Sequence, residues 1–191
     1  MRTPLSLKIA TILLFFSVPF CLSQSSSVDP ALLAKAAAGD PAAQVAVGDQ
    51  YLAGIGAEQD CKLAAEWFLK AAMQADTRGE IRLAEFYRDG SKQCPRDRVQ
   101  SAIWYKKAAE QGDVAAQGTL GVLYSLGQGV AQNYVEAYFW FDLAASVASP
   151  RQAQYAANRQ MAGVHVTTEE LEGIQARLAQ WKKSHPTPGS R

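Results

Sequence analysis

The sequence predicts an all-α protein, an α-solenoid of helix-turn-helix repeats, and three in-phase series of residues predict it. Tyrosines stand at Tyr51, Tyr87 and Tyr124, spaced 36 and 37 residues, and tryptophans at Trp67, Trp104 and Trp140, spaced 37 and 36. A glycine follows each tyrosine by three residues, at Gly54, Gly90 and Gly127. A unit of that length is one helical hairpin, which cannot bury its apolar face alone and must stack on its neighbours.

Residues 1–23 read as a secretory signal. Arg2 and Lys8 give a positive start, Ile9 to Phe20 is an uncharged apolar run, and Cys21-Leu22-Ser23 offers a cleavage site after Ser23. The run is too short to span a bilayer, and no later segment is long and apolar enough to do so. Acylation of Cys21 is the rival outcome, disfavoured by the bulky Phe20 before it, and uncleaved anchoring is a third. Residues 24–38 supply an N-terminal cap helix: Asp29 caps it, Pro30 opens it, and Leu32, Leu33 and Ala36 cover the first repeat.

Repeat 1 (39–74), repeat 2 (75–111) and repeat 3 (112–147) then follow. In the first helix of repeat 1, Val47, Gly48 and Tyr51 form one stripe, and Gly54-Ile55-Gly56 ends it. Asp60 is placed to cap a second helix carrying Leu63, Ala64, Trp67, Phe68, Ala71 and Ala72. Small residues at Gly48, Ala84 and Gly121 allow the two helices to approach closely, with the large repeating aromatics expected as core wedges between repeats. Repeat 2 departs from the pattern, since Gly90-Ser91-Lys92-Gln93-Cys94-Pro95 adds a residue to its loop and so requires its own geometry.

C-terminal capping helices occupy 148–183. One starts at Pro150 and runs to about Met161. The other follows Thr167, with Glu170 completing a capping box and Leu171, Ile174, Leu178 and Trp181 forming a stripe that docks on repeat 3. The tail 184–191, with two prolines, is expected to be disordered.

Composition narrows the function. Hydrophobic residues make up 48% and charged residues 19%, a globular balance, and the formal net charge is +1. Without Arg2 and Lys8 the mature chain is near 17 − 18 = −1, which provides no basic footprint for nucleic acid. His165 and His185 are the only histidines, and neither lies in a metal motif or beside a nucleophile at helical spacing. No catalytic residues, metal ligands or cofactor are expected. Gly54-Ile55-Gly56 and Gly127-Gln128-Gly129 join helix to helix, so they read as turns and not as phosphate loops. Glu169 and Glu170 read as first-turn charges.

Residues 116 to 130 resemble the first half of the Sel-1-like repeat, Ala-x-x-x-Leu-Gly-x-x-Tyr-x-x-Gly-x-Gly-Val, through Ala116, Leu120, Gly121, Tyr124, Gly127, Gly129 and Val130. Trp67, Lys70, Ala71 and Ala72 match its second half, Trp-x-x-Lys-Ala-Ala. The resemblance, to relatives of the tetratricopeptide repeat, covers about residues 39 to 147. It implies an adaptor that binds a protein or peptide partner on the concave face; with the leader, a monomeric periplasmic or secreted protein is expected. Its lining positions, two and five residues before each tyrosine and one after it, are Ala46, Asp49 and Leu52; Arg82, Glu85 and Arg88; and Thr119, Val122 and Ser125. An alternative comes from secreted cysteine-rich members associated with binding or slow hydrolysis of penicillin-type compounds. This sequence lacks their cysteine pair in every repeat, and no serine here has a base.

In such a stack the start of the second helix of repeat 1 lies near the altered loop of repeat 2. A Cys61–Cys94 disulfide is therefore expected, consistent with an oxidising compartment; two unpaired core cysteines are the alternative.

Overall fold

A computed structural model describes residues 28–90 and 94–185. The signal segment 1–23, Cys21 and the tail from 186 onward lie outside the described residues. Among those described there are nine helices and no strands: α1 (Pro30–Ala37), α2 (Pro41–Ala53), α3 (Cys61–Ala72), α4 (Thr77–Asp89), α5 (Arg98–Glu110), α6 (Val114–Leu126), α7 (Tyr134–Ala145), α8 (Gln152–Gly163) and α9 (Thr168–Ser184).

Each boundary has a local cause. Asp40, Asp76 and Asp113 cap the first helices of the three hairpins, accepting from the backbone N–H of Ala43, Gly79 and Ala116. Asp60, Asp97 and Asn133 cap the second helices in the same way. Gly54 and Gly127 end α2 and α6 in the left-handed conformation, with φ of 69° and 65°. Gly90 ends α4 differently, at φ 56° and ψ 173°, as the altered loop requires. All three loops still close on the same atom, because the N–H of Asp60, Asp97 and Asn133 donates to the carbonyl of Tyr51, Tyr87 and Tyr124. The second loop, one residue longer, therefore closes at its ends as the other two do.

Helices α2, α4 and α6 form one layer and α3, α5 and α7 the other, with each helix packed on its neighbours in sequence. Helix α2 also touches α4 directly, whereas α3 and α5 do not come as close, so at the junction of repeats 1 and 2 the first helices form the inner side. Apolar clusters follow one another along the stack. Val28, Ala36, Ala43 and Val47 fill the N-terminal end, Ala64, Phe68, Leu83 and Phe86 the junction of repeats 1 and 2, and Leu120, Phe139 and Trp140 the junction of repeats 2 and 3. This is the nearest-neighbour organisation of a solenoid.

The repeating aromatics wedge against the apolar clusters as expected: Trp140 is buried, and Tyr51, Tyr87, Tyr124, Trp67 and Trp104 are half-buried against them, with Lys70 and Lys107 3.8 and 4.0 Å over the rings of Trp67 and Trp104. The buried aromatic is the next residue along: Phe68, Tyr105 and Phe141. A Cβ built on Gly48 would stand 2.5 Å from Phe68, and one on Gly121 would stand 2.7 Å from Phe141. The small residues therefore make room for these rings.

A disulfide joins Cys61, the first residue of α3, to Cys94 in the altered loop, with Cα atoms 5.4 Å apart. It ties repeat 1 to repeat 2. On chain-entropy grounds a loop of this length stabilises by about 3–4 kcal/mol.

Beyond repeat 3 the chain departs from the regular stack. Helix α8 begins at Gln152, two residues past Pro150, and packs on α7; Tyr155 occupies the space a side chain on Gly118 would need. Helix α9 begins with the complete capping box of Thr167 and Glu170. It then doubles back over α7. Ile174 and Leu178 are buried beneath it and Trp181 is half-buried, but Leu171 is 36% exposed and is not part of the docked stripe. The helix continues to Ser184, and His185 stacks on Trp181 at 3.9 Å, so order extends two residues into the stretch expected to be disordered. No helix among the described residues is long and apolar enough to cross a membrane.

Candidate partner-binding face

The nine sequence-derived positions lie on the inner layer, on α2, α4 and α6, and none is buried: Arg88 is exposed and the other eight are half-buried. A helix whose opposite face packs on its hairpin partner leaves these positions toward solvent.

Their charges are not free. The Arg82 guanidinium donates to Asp49 across the repeat boundary, through Nε at 2.8 Å, and to Glu85 through a terminal nitrogen at 2.6 Å. Burial works against the charge of Arg82, but those two acceptors outweigh it, and its pKa lies above the ordinary arginine value. Arg88 donates to Asp89 at 2.7 Å and to the Tyr105 hydroxyl at 2.6 Å. Hydrogen bonding to Arg88 holds Asp89 below the usual carboxylate range, while burial pushes the Tyr105 hydroxyl up to about 12. Arg82 and Asp49 thus serve the junction of repeats 1 and 2 as well as the surface.

Three clefts open along this layer. Leu52, Arg82 and Glu85 line one of 230 Å³ together with Gln59, Phe86, Asp89 and Cys94. Glu85 also borders a broader one of 670 Å³, whose other walls are the start of α6 and Ser149 to Arg151. Val122 and Ser125 line the third, of 310 Å³, with Leu126, Tyr134, Phe141, Met161 and His165. Ala46, Asp49, Arg88 and Thr119 lie outside these lining sets. Thr119 and Ser125 hydroxyls are turned back onto their own helix, donating to Ala115 and Val122 carbonyls.

Sequence reasoning missed the contribution of α8. Met161 and His165 close the third cleft, and His165, in the linker between α8 and α9, stacks on Tyr134 at 4.1 Å, so this linker residue is also a wall. Exposed Leu126 and Met161 make that end apolar. The available signal was the phase of α8, since Tyr155 and Ala162 fall on one face seven residues apart. Among the described residues no group of three His, Cys, Asp or Glu is arranged to hold a metal ion.

The family model described as Sel1 repeat matches residues 41–76, 77–113 and 114–147. Among solved structures, a protective antigen of uropathogenic Escherichia coli strains displaying an SLR fold superposes with a TM-score of 0.66 at 34% identity, over 80% of this chain and 32% of that one. A Sel1 repeat protein from Oxalobacter formigenes gives 0.57 at 33% identity, over 65% and 92%. Cysteine-rich protein B of Helicobacter pylori, at 21% identity and 0.50, shares the fold. Among curated proteins, chitin synthase regulatory factor 3 of Schizosaccharomyces pombe is 30% identical over 115 residues, 59% of this chain. A chitin synthase regulator of Saccharomyces cerevisiae is 31% identical over 88 residues, 46% of this chain. The matched stretches span only 12% and 13% of those two regulators.

Proposed function

Because the chain belongs to the Sel1 repeat family, we propose that it is an exported scaffold that holds a protein or peptide partner on its inner face. One observation carries the reading: clefts open along that face, one holding the paired Arg82 and Glu85, one between Glu85 and the start of α6, and one at repeat 3 and α8 bordered by exposed Leu126 and Met161. Such a surface offers an extended segment hydrogen-bonding groups at one end and an apolar pocket at the other, with little loose charge to desolvate. Two of the relatives are described as regulators of another protein, chitin synthase, which supports a role exercised through a partner. Export rests on the leader at 1–23 and on the Cys61–Cys94 bridge, which suits an oxidising compartment.

The test is capture from the native envelope by the mature protein as bait, compared with the double substitution Ala46→Arg and Thr119→Arg. Both positions face solvent on the inner layer and carry no inter-repeat bond, so the melting temperature is expected to move by no more than about 2 °C. Loss of the captured protein with a retained fold supports the reading. Unchanged capture overturns it.

A further inference from the structure

Helix α9 shows what the outer layer can bind. It packs on α7, its Arg177 pairs with Glu136 at 2.8 Å, and at its end the His185 ring donates from Nε2 to the carbonyl of Glu110 on α5 at 3.1 Å. It therefore lies over the groove between the second helices α5 and α7. Beneath it Ile174 and Leu178 share a buried cluster with Ala102, Leu120, Leu123 and Phe139. Tyr124 is flanked by the charges of Lys106 and Glu110 on α5, Glu136 on α7 and Arg177 on α9.

One repeat earlier, the groove between α3 and α5 has nearly the same floor. Stepping back 37 residues converts Ala102, Leu120, Leu123 and Tyr124 into Ala65, Leu83, Phe86 and Tyr87. These four line an open cleft of 420 Å³ with Leu69 on its rim. The wall that α9 covers on α7 includes Val135 and Phe139; 36 residues earlier the same positions are Val99 and Ile103 on α5. Phe139 is 4% exposed, but Val99 and Ile103 are 56% and 43% exposed. Cys61, bridged to Cys94, and Pro95 close one end of the cleft.

We propose that the α3–α5 groove is a second docking site, on the outer face, for an amphipathic helix of a partner protein that binds as α9 binds one repeat later. The occupant presents bulky apolar side chains at i, i+4 and i+7, the spacing of Ile174, Leu178 and Trp181. It has no cation at the Arg177 position, because Gln100 stands where Glu136 does on α7.

The probe is a labelled peptide of residues 167–185 carrying Arg177→Gln, stapled on its exposed face because a free helix of this length is marginal in water. It is titrated into the mature protein and into Leu69→Glu and Val99→Glu, both at exposed positions. One peptide is expected to bind per chain, weakening at least about tenfold in either variant and unchanged in Ala46→Arg/Thr119→Arg. Absence of binding, or binding indifferent to Leu69→Glu and Val99→Glu, overturns the proposal. A dimer of the protein that dissolves on Leu69→Glu also overturns it, since the occupant is then a second copy. Loss of inner-face capture leaves this result untouched, so the two readings fail separately.

Discussion

At Ala75 the backbone adopts φ 57°, the only left-handed non-glycine among the described residues. It stands where Gly39 and Gly112 make the junction between repeats, at φ of 98° and 91°. A Cβ there costs about 1 kcal/mol, so Ala75→Gly is expected to raise the melting temperature by about 2 °C in a thermal scan. A second residue-scale departure is Glu80, 3% exposed, in the place of Gln44 and Gln117. Those buried amides donate to the carbonyls of Ala36 and Ala109, and Gln44 accepts from Gln74 as Glu80 accepts from Gln111. Ionised Glu80 has no proton for the carbonyl side. Burial raises its pKa, against the opposing pull of Lys107 and Gln111. The folded chain therefore holds this proton more tightly than the unfolded one, and stability falls as pH rises from the ordinary glutamate value through the raised one. Glu80→Gln is expected to stabilise by about 1 kcal/mol at pH 7.5, with the gain vanishing near pH 4. A variant less stable at pH 7.5 refutes this.

At the scale of the helix, adjacent aromatics have different jobs. Phe68 fills the notch at Gly48, while Trp67 is half-buried beneath Lys70. Phe68→Ala is expected to lower stability by about 3–5 kcal/mol and Trp67→Ala by about half as much, read from denaturant unfolding. The repeat period, the caps and the glycine turns were legible in the sequence because each has a local signature. Which of two neighbouring aromatics points inward was not, since that depends on how a helix is rotated against its partner. Phe68, Tyr105 and Phe141 carry the same 37 and 36 spacing as the tryptophans, but the residue type varies. The Asp49–Arg82 bond was hidden for a related reason. It joins different repeats, 33 residues apart, and follows from the superhelical offset between them.

Across the whole molecule, stacking leaves two faces with different characters. The inner layer carries the clefts, and the outer layer carries one groove filled by α9 and one left open. The docking of α9 on repeat 3 was readable from its apolar stripe, and the phase of α8 from Tyr155 and Ala162; that α8 walls a cleft was not, because an amphipathic stripe does not say what stands beside the docked helix. The nine inner positions fall at half-buried or exposed places on α2, α4 and α6, and the pairing of their charges was invisible to a strip drawn from sequence alone. The most direct measurement of the scaffold account places a photo-crosslinking side chain at Thr119 on the inner face, and separately at Glu169 on α9, in the mature protein in its native envelope. The account predicts a discrete covalent adduct with one partner from position 119 and none from 169. Equal labelling from both positions, or none from 119, contradicts it.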